Sequence, residues 1–179
     1  MCNDIECILY SPEQLAAKVA ELAASITRDY RGKRPILVGI LKGSFIFMSD
    51  LVRRINLPCE VDFLSVSSYG MESVSSGSVR LLKDLDTDIR GRDILLIEDI
   101  LDSGMTLSYI MSVIETSRPA SVAICTLFDK PERRRVPVEA RYSGFLIPDE
   151  FIVGYGLDFA GQYRNLPYVG VLKRSIYEE

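Results

Sequence analysis

The residues best placed to do chemistry in this 179-residue chain are Ile94-Leu95-Leu96-Ile97-Glu98-Asp99-Ile100-Leu101-Asp102-Ser103-Gly104-Met105-Thr106. An apolar run that reads as a buried strand leads straight into two adjacent carboxylates. A third, Asp102, follows, and then a Ser/Gly/Thr turn opens a helix. A helix start presents free backbone N–H groups, and its dipole favours an anion. The turn from Ser103 to Thr106 can therefore cradle a phosphate. Gly104 removes side-chain bulk there, while Ser103 and Thr106 add hydroxyl donors. Glu98 and Asp99, side by side at the expected end of the strand, repel each other; sugar hydroxyls or Mg²⁺ would relieve them. The segment suits a phosphorylated sugar. Two plainer roles stay open at this point: an ordinary helix start capped by Asp102 or Ser103, and a pair of solvated loop acids.

The chain has no histidine. That excludes Ser-His and Cys-His catalysis and His-ligated metals. Proton transfer falls to carboxylates, Lys, Tyr or Cys, and a metal would be a hard, oxygen-ligated one. The net charge of -4 argues against a nucleic-acid partner, because phosphate backbones select basic surfaces. Cys2, Cys7, Cys59 and Cys125 form no close ligand pair and read as free thiols in a reducing cytoplasm. No apolar run approaches the roughly 20 residues of a membrane span, and the N-terminus lacks a signal-peptide pattern.

The elements that must position these residues alternate between strand and helix. Ser11-Pro12-Glu13-Gln14 carries a cap, an N1 proline and a capping box, and Leu15, Val19, Leu22 and Ile26 share one helical face. The apolar patterning predicts strands over 36–41, 61–67, 79–85, 94–97, 122–128, 151–155 and 168–172. It predicts a helix that follows the break at Lys42-Gly43-Ser44 and runs through Arg54, and another after Thr106, the latter with Leu107, Ile110, Met111 and Ile114 as its apolar face. The first of these two is apolar on several sides, which suits a core sandwich or a subunit interface. Segment 68–78 is Ser/Gly-rich and aperiodic, either a lid or a hairpin tip. Such alternation predicts an α/β domain with a mainly parallel sheet, in which ligands sit beyond the carboxyl ends of the strands. Lys42-Gly43, segment 68–78, Glu98-Asp99 and Lys130 all follow predicted strands and are expected to face one crevice.

The run from Leu95 to Leu107 resembles the phosphoribosyl-pyrophosphate motif of the type I phosphoribosyltransferases. The wider chain resembles the hypoxanthine and hypoxanthine-guanine members. Leu41-Lys42-Gly43-Ser44, Ser68-Tyr69-Gly70, Asp129-Lys130-Pro131, the stretch from Pro148 to Asp158, and Tyr163-Arg164-Asn165-Leu166-Pro167 follow in the same order. The resemblance implies the type I phosphoribosyltransferase fold: a mainly parallel central sheet flanked by helices, over 1–179 as one domain. The N-terminal segment and parts of 129–179 would form a small base-binding hood.

The resemblance also implies roles. Glu98 and Asp99 would hold the ribose hydroxyls, directly or through Mg²⁺. Ser103, Gly104, Met105 and Thr106 would bind the 5′-phosphate, and Asp102 would take the purine N7 proton. Lys130 would donate to the exocyclic oxygen of the base, Phe151 would stack on it, and backbone groups at Ile152 would read its Watson–Crick edge. Asp158 would ligate or orient a second Mg²⁺ beside the base. Lys42, Gly43, Ser68, Tyr69 and Arg164 would face the pyrophosphate. Many members have a cis peptide where Leu41 meets Lys42. Ser103 stands where many have Thr, and Phe159 where many have Tyr.

The expected activity is transfer of a phosphoribosyl group from phosphoribosyl pyrophosphate to N9 of a 6-oxopurine, in a cytoplasmic homodimer or homotetramer that uses neither nucleic acid nor membrane. Judged from the residues alone, Lys130 is a solvated loop lysine, Phe151 a core residue, and Arg133, Arg134 and Arg135 partners in salt bridges or a basic surface. Rival readings are a phosphoribosyltransferase for xanthine, adenine or uracil, and a regulator of the same fold that binds RNA or DNA.

Overall fold

Residues 2–68 and 79–177 are described by a computed structural model, with side chains at 3–67 and 80–177. After a short 3₁₀ turn, the chain runs through β1 (Ile5–Tyr10), α1 (Pro12–Asp29), β2 (Ile36–Leu41), α2 (Phe45–Val52), β3 (Glu60–Ser68) and β4 (Val79–Lys83). It continues through β5 (Asp93–Leu101), α3 (Met105–Glu115), β6 (Ser121–Asp129), β7 (Tyr142–Leu146), β8 (Ile152–Val153), β9 (Val169–Leu172) and α4 (Arg174–Tyr177).

Six of these strands form one sheet in the order β4-β3-β2-β5-β6-β7. All adjacent pairs are parallel except β3 with β4 at the edge. The chain leaves β2 for β3 on one side and returns to build β5, β6 and β7 on the other. The order therefore switches between β2 and β5, where doubly wound sheets open a crevice beyond their carboxyl ends. Both neighbours of that switch point end in residues flagged from the sequence: Lys42-Gly43 after β2, and Glu98 and Asp99 within β5 with Asp102 just beyond it.

Burial explains the continuous apolar runs. Leu37, Leu95 and Ile97 pack with α1 and α2 on one face, and Ile36, Val38, Ile94 and Leu96 pack with α3 on the other. Successive strand residues point to opposite faces, and both faces are covered, so no polar alternation is needed. Each fully buried Leu or Ile is worth about 1.5–3 kcal/mol. The start of α1 follows its sequence: Ser11 Oγ accepts from Gln14 N, and Gln14 Oε1 accepts from Ser11 N at 2.8 Å.

A second sheet, β1-β9-β8, is antiparallel and joins the two ends of the chain. Its residues Ile152, Val169 and Val171 belong to the same apolar cluster as Leu95 and Ile97. β1 and β7 carry no clear strand signal. β1 has no fully buried residue and is irregular in register. β7 contains Gly144, where a Cβ would lie 2.4 Å from the Leu127 carbonyl oxygen. The low strand propensity of β7 thus follows from a close backbone approach.

Several boundaries also shift; β4, expected to reach Leu85, ends at Lys83. β5 runs four residues past the expected end at Ile97, the 151–155 strand contracts to Ile152–Val153, and α2 ends at Val52. α2 buries Phe47, Met48 and Leu51 but leaves Phe45 exposed.

Candidate active site

Glu98 and Asp99 are strand residues, since β5 continues to Leu101, and both are buried. The reading as solvated loop acids does not hold. Asp99 N donates to Glu98 Oε1 at 3.2 Å, and Ile100 N donates to Asp99 Oδ1 at 2.8 Å. Burial, reinforced by repulsion from Asp99, holds the Glu98 carboxyl well above its ordinary range. Burial also pushes Asp99 up, against the pull of its hydrogen bonds and of Arg164.

The end of β2 closes on this pair. The Leu41-Lys42 peptide is cis, Lys42 is exposed, and Ser44 Oγ donates back to the Ile40 carbonyl at 2.7 Å. A Cβ on Gly43 would lie 1.8 Å from Asp99 Oδ2, so only glycine fits there. A Cβ on Gly156 would lie 2.2 Å from the Gly43 carbonyl oxygen. The chain before Asp158 is thereby pressed against the same corner.

Arg164 Nη1 donates to the Gly156 carbonyl at 2.6 Å, and its Nη2 lies 2.5 Å from Asp158 Oδ1. Asp158 Oδ2 accepts from Gly161 N at 2.8 Å. Asp158 thus orients Arg164, while the described residues contain no cluster of three or more metal-ligating side chains to which it belongs.

The turn before α3 departs from an ordinary cap. Gly104 is the N-cap residue, at φ 80°, and no side-chain cap bond is made. Capping by Asp102 or Ser103 is therefore not what the structure holds, although Ser103 Oγ accepts a long 3.4 Å bond from Met105 N. Left-handed backbone at position 104 suits glycine, and Arg134 Cδ lies 3.2 Å from where its Cβ would be. Asp102 Oδ1 is shielded from solvent and faces Arg133 Nε at 2.9 Å.

A second side of the site is assembled by residues after β6. Lys130 is buried, not solvated. It donates to the Glu150 carbonyl at 2.6 Å and lies 3.6 Å from Asp149 Oδ1. Phe151 is exposed rather than core; it stacks on Tyr177 at 4.8 Å and meets Phe159 edge-on at 5.6 Å. Ile152 is buried and pairs with Val171 across the second sheet. Arg133 joins both halves, with Nη1 3.0 Å from Asp149 and Nε on Asp102.

The phosphoribosyl transferase domain model matches residues 8–160. The chain belongs to the phosphoribosyltransferase family. It is 51% identical over 178 residues to the hypoxanthine-guanine phosphoribosyltransferase of Bacillus subtilis strain 168, covering 99% of each. It is 52% identical over 179 residues to the bifunctional protein TilS/HprT of Listeria innocua, of whose length it spans 28%. A crystal structure of a hypoxanthine phosphoribosyltransferase from Staphylococcus aureus superposes with a TM-score of 0.96 at 47% identity, covering 100% of this chain and 97% of that one.

In this phosphoribosyltransferase the expected site residues divide by what the structure brings together. Gly43, Glu98, Asp99 and Arg164 share one corner, and Asp102, Lys130 and Phe151 gather around the Asp129–Phe151 side. Ser68, the first residue of the expected 68–78 lid, ends β3 and pairs with Val79; Tyr69 and the rest of that segment lie outside the described residues. Sequence reasoning missed the contacts of Arg133 and Arg134 and the stacking of Tyr177. The arginine cluster was visible, but its partners Asp102, Asp129 and Asp149 are brought to it only by the fold.

Proposed function

We propose that this phosphoribosyltransferase moves the 5-phosphoribosyl group of phosphoribosyl pyrophosphate to N9 of hypoxanthine, and of guanine. The products are the purine nucleoside 5′-monophosphate and pyrophosphate, as in purine salvage. The observation that carries this reading is the run of contacts from Lys130 through Asp149 and Arg133 to Asp102. It sets a buried ammonium and a carboxylate on one side of the crevice, next in the chain fold to the partly exposed ring of Phe151, one face of which is stacked on Tyr177. An ammonium donor recognises an exocyclic oxo group, and a carboxylate accepts a ring N–H. That pairing matches a 6-oxopurine and disfavours adenine.

The chain's own residues supply positioning and proton transfer. The turn from Ser103 to Thr106 binds the 5′-phosphate, and Glu98 and Asp99 hold the ribose hydroxyls. Lys42, Gly43 and Arg164, with Ser68 and Tyr69, bind the departing pyrophosphate. Ile152 backbone groups read the edge of the base. As the bond from C1 to the pyrophosphate oxygen breaks, the N9 electron pair bonds to C1, and the N7 proton passes to Asp102.

Glu98 and Asp99 would hold one Mg²⁺, and Asp158, which forms no cluster with them among the described residues, would ligate or orient a second. Two buried, adjacent carboxylates with raised proton affinity fit a divalent cation, which restores their charged forms. When bound, Mg²⁺ neutralises pyrophosphate and sugar oxygens. The same proposal makes the chain one domain hooded by β1, β8 and β9. It places the protein in the cytoplasm as a homodimer or homotetramer, with neither nucleic acid nor membrane as partner. Among the described residues no helix is long and apolar enough to cross a membrane.

A competition assay tests the reading. Hypoxanthine, guanine, xanthine and adenine are offered together with phosphoribosyl pyrophosphate and Mg²⁺, and the nucleotides are separated by chromatography. Inosine and guanosine monophosphates should dominate; adenosine monophosphate as main product would overturn it.

A further inference from the structure

Three successive carbonyls behind the phosphate turn are all held from one side. Leu101 O accepts from Lys130 N at 2.9 Å and from Arg134 Nη1 at 3.1 Å. Asp102 O accepts from the same Arg134 Nη1. Ser103 O accepts from Arg135 N at 2.9 Å. In a trans peptide the carbonyl and the N–H point in opposite directions, and these peptides are trans. Fixing the oxygens of residues 101, 102 and 103 against the segment after β6 turns the N–H groups of Asp102, Ser103 and Gly104 the other way. Those N–H groups donate to no acceptor among the described residues.

Arg134 is itself fixed. Its Nη2 is ion-paired with Asp129 Oδ1, and the two side chains are only 18% and 14% exposed. Arg134 Cδ packs where Gly104 would carry a Cβ. A planar guanidinium can serve two carbonyls and a carboxylate at once; an ammonium on a flexible stem cannot hold that fork.

We propose that Arg134 is a positioning residue for the 5′-phosphate. It never meets the ligand. Anchored by Asp129, it pins the carbonyls of Leu101 and Asp102 so that the amides of the turn converge on an anion before one arrives. Such preorganisation spares the ligand the cost of ordering the loop. This inference rests on the reading of the Ser103–Thr106 turn as the 5′-phosphate site.

Dissociation constants for inosine monophosphate and inosine, which differ only by the phosphate, test it by calorimetry on the wild type, Arg134→Met, Arg134→Lys and Asp129→Asn. The wild type should bind the monophosphate far more tightly. Arg134→Met should lose about tenfold or more in monophosphate affinity with inosine within about twofold, the size expected for charge-assisted hydrogen bonds. Arg134→Lys should recover part of that loss. Asp129→Asn, which keeps the guanidinium but removes its anchor, should lose about threefold, again for the monophosphate alone, and gives the same comparison should Arg134→Met fail to fold. Equal losses for both ligands, or none, would overturn the role of Arg134. A wild type that binds both ligands equally would overturn the phosphate-site reading and this inference with it.

Discussion

Arg133 Nε lies 2.9 Å from Asp102 Oδ1, so the carboxylate proposed to accept the purine proton is held by a guanidinium that also grips Asp149. Both members of the Arg133–Asp102 pair are 43% exposed, and such pairs contribute at most about 1 kcal/mol to stability. The pair therefore serves the site more than the fold. Asp102→Asn should lower kcat by about 10²–10⁴-fold with little change in melting temperature. Arg133→Met should cost less than about tenfold, and the double variant should fall short of the product of the two losses, because contacting residues couple. Steady-state kinetics on the three variants check this; near-normal turnover in Asp102→Asn removes it from catalysis.

Glu98 and Asp99 are buried together with raised proton affinity, an arrangement that costs the ligand-free protein stability at neutral pH. The sign follows from the direction: an acid raised in the folded state favours folding at low pH, and that benefit fades as pH rises towards the folded value. Glu98→Gln should therefore raise the melting temperature at pH 7 while lowering kcat/KM for phosphoribosyl pyrophosphate by about tenfold or more, one charged hydrogen bond being worth about 1.5–3 kcal/mol. Calorimetry and kinetics on one preparation would show both; a fall in melting temperature would mean that the pair stabilises the fold.

Much of this was legible in the sequence because it rests on local rules. The cap of α1 and the apolar runs of β2, β5 and β6 are written in residue type and period. Glycine at 43 is explained only by Asp99 arriving 56 positions later in the chain, from the other side of the switch point. Lys130 looked like any loop lysine because its burial depends on the Glu150 carbonyl. β7 was hidden by Gly144, a residue that weakens strand propensity and is required by contact with Leu127. The site residues were readable through resemblance to a family; the arginines behind them were not, since their partners come from three separate segments.

Asp62 reports on the sheet edge independently of the site. Burial alone would raise its carboxyl, but the N–H groups of Phe63, Asp86 and Thr87, at 2.7, 2.9 and 2.9 Å, outweigh burial and hold it below its ordinary value. Its stabilising contribution is present above the unfolded value of about 4 and is lost as pH falls through the folded value. Asp62→Asn should cost about 1–3 kcal/mol at pH 7. Urea unfolding from pH 7 to pH 3 should show the gap between variant and wild type narrowing below about pH 4; a gap independent of pH would contradict the assignment.

The most direct measurement is a spectrophotometric assay of the purified protein with phosphoribosyl pyrophosphate, Mg²⁺ and one purine at a time. Hypoxanthine and guanine should each be converted to the 5′-monophosphate with release of one pyrophosphate per nucleotide, and adenine should not react. No nucleotide from either hypoxanthine or guanine would contradict the account.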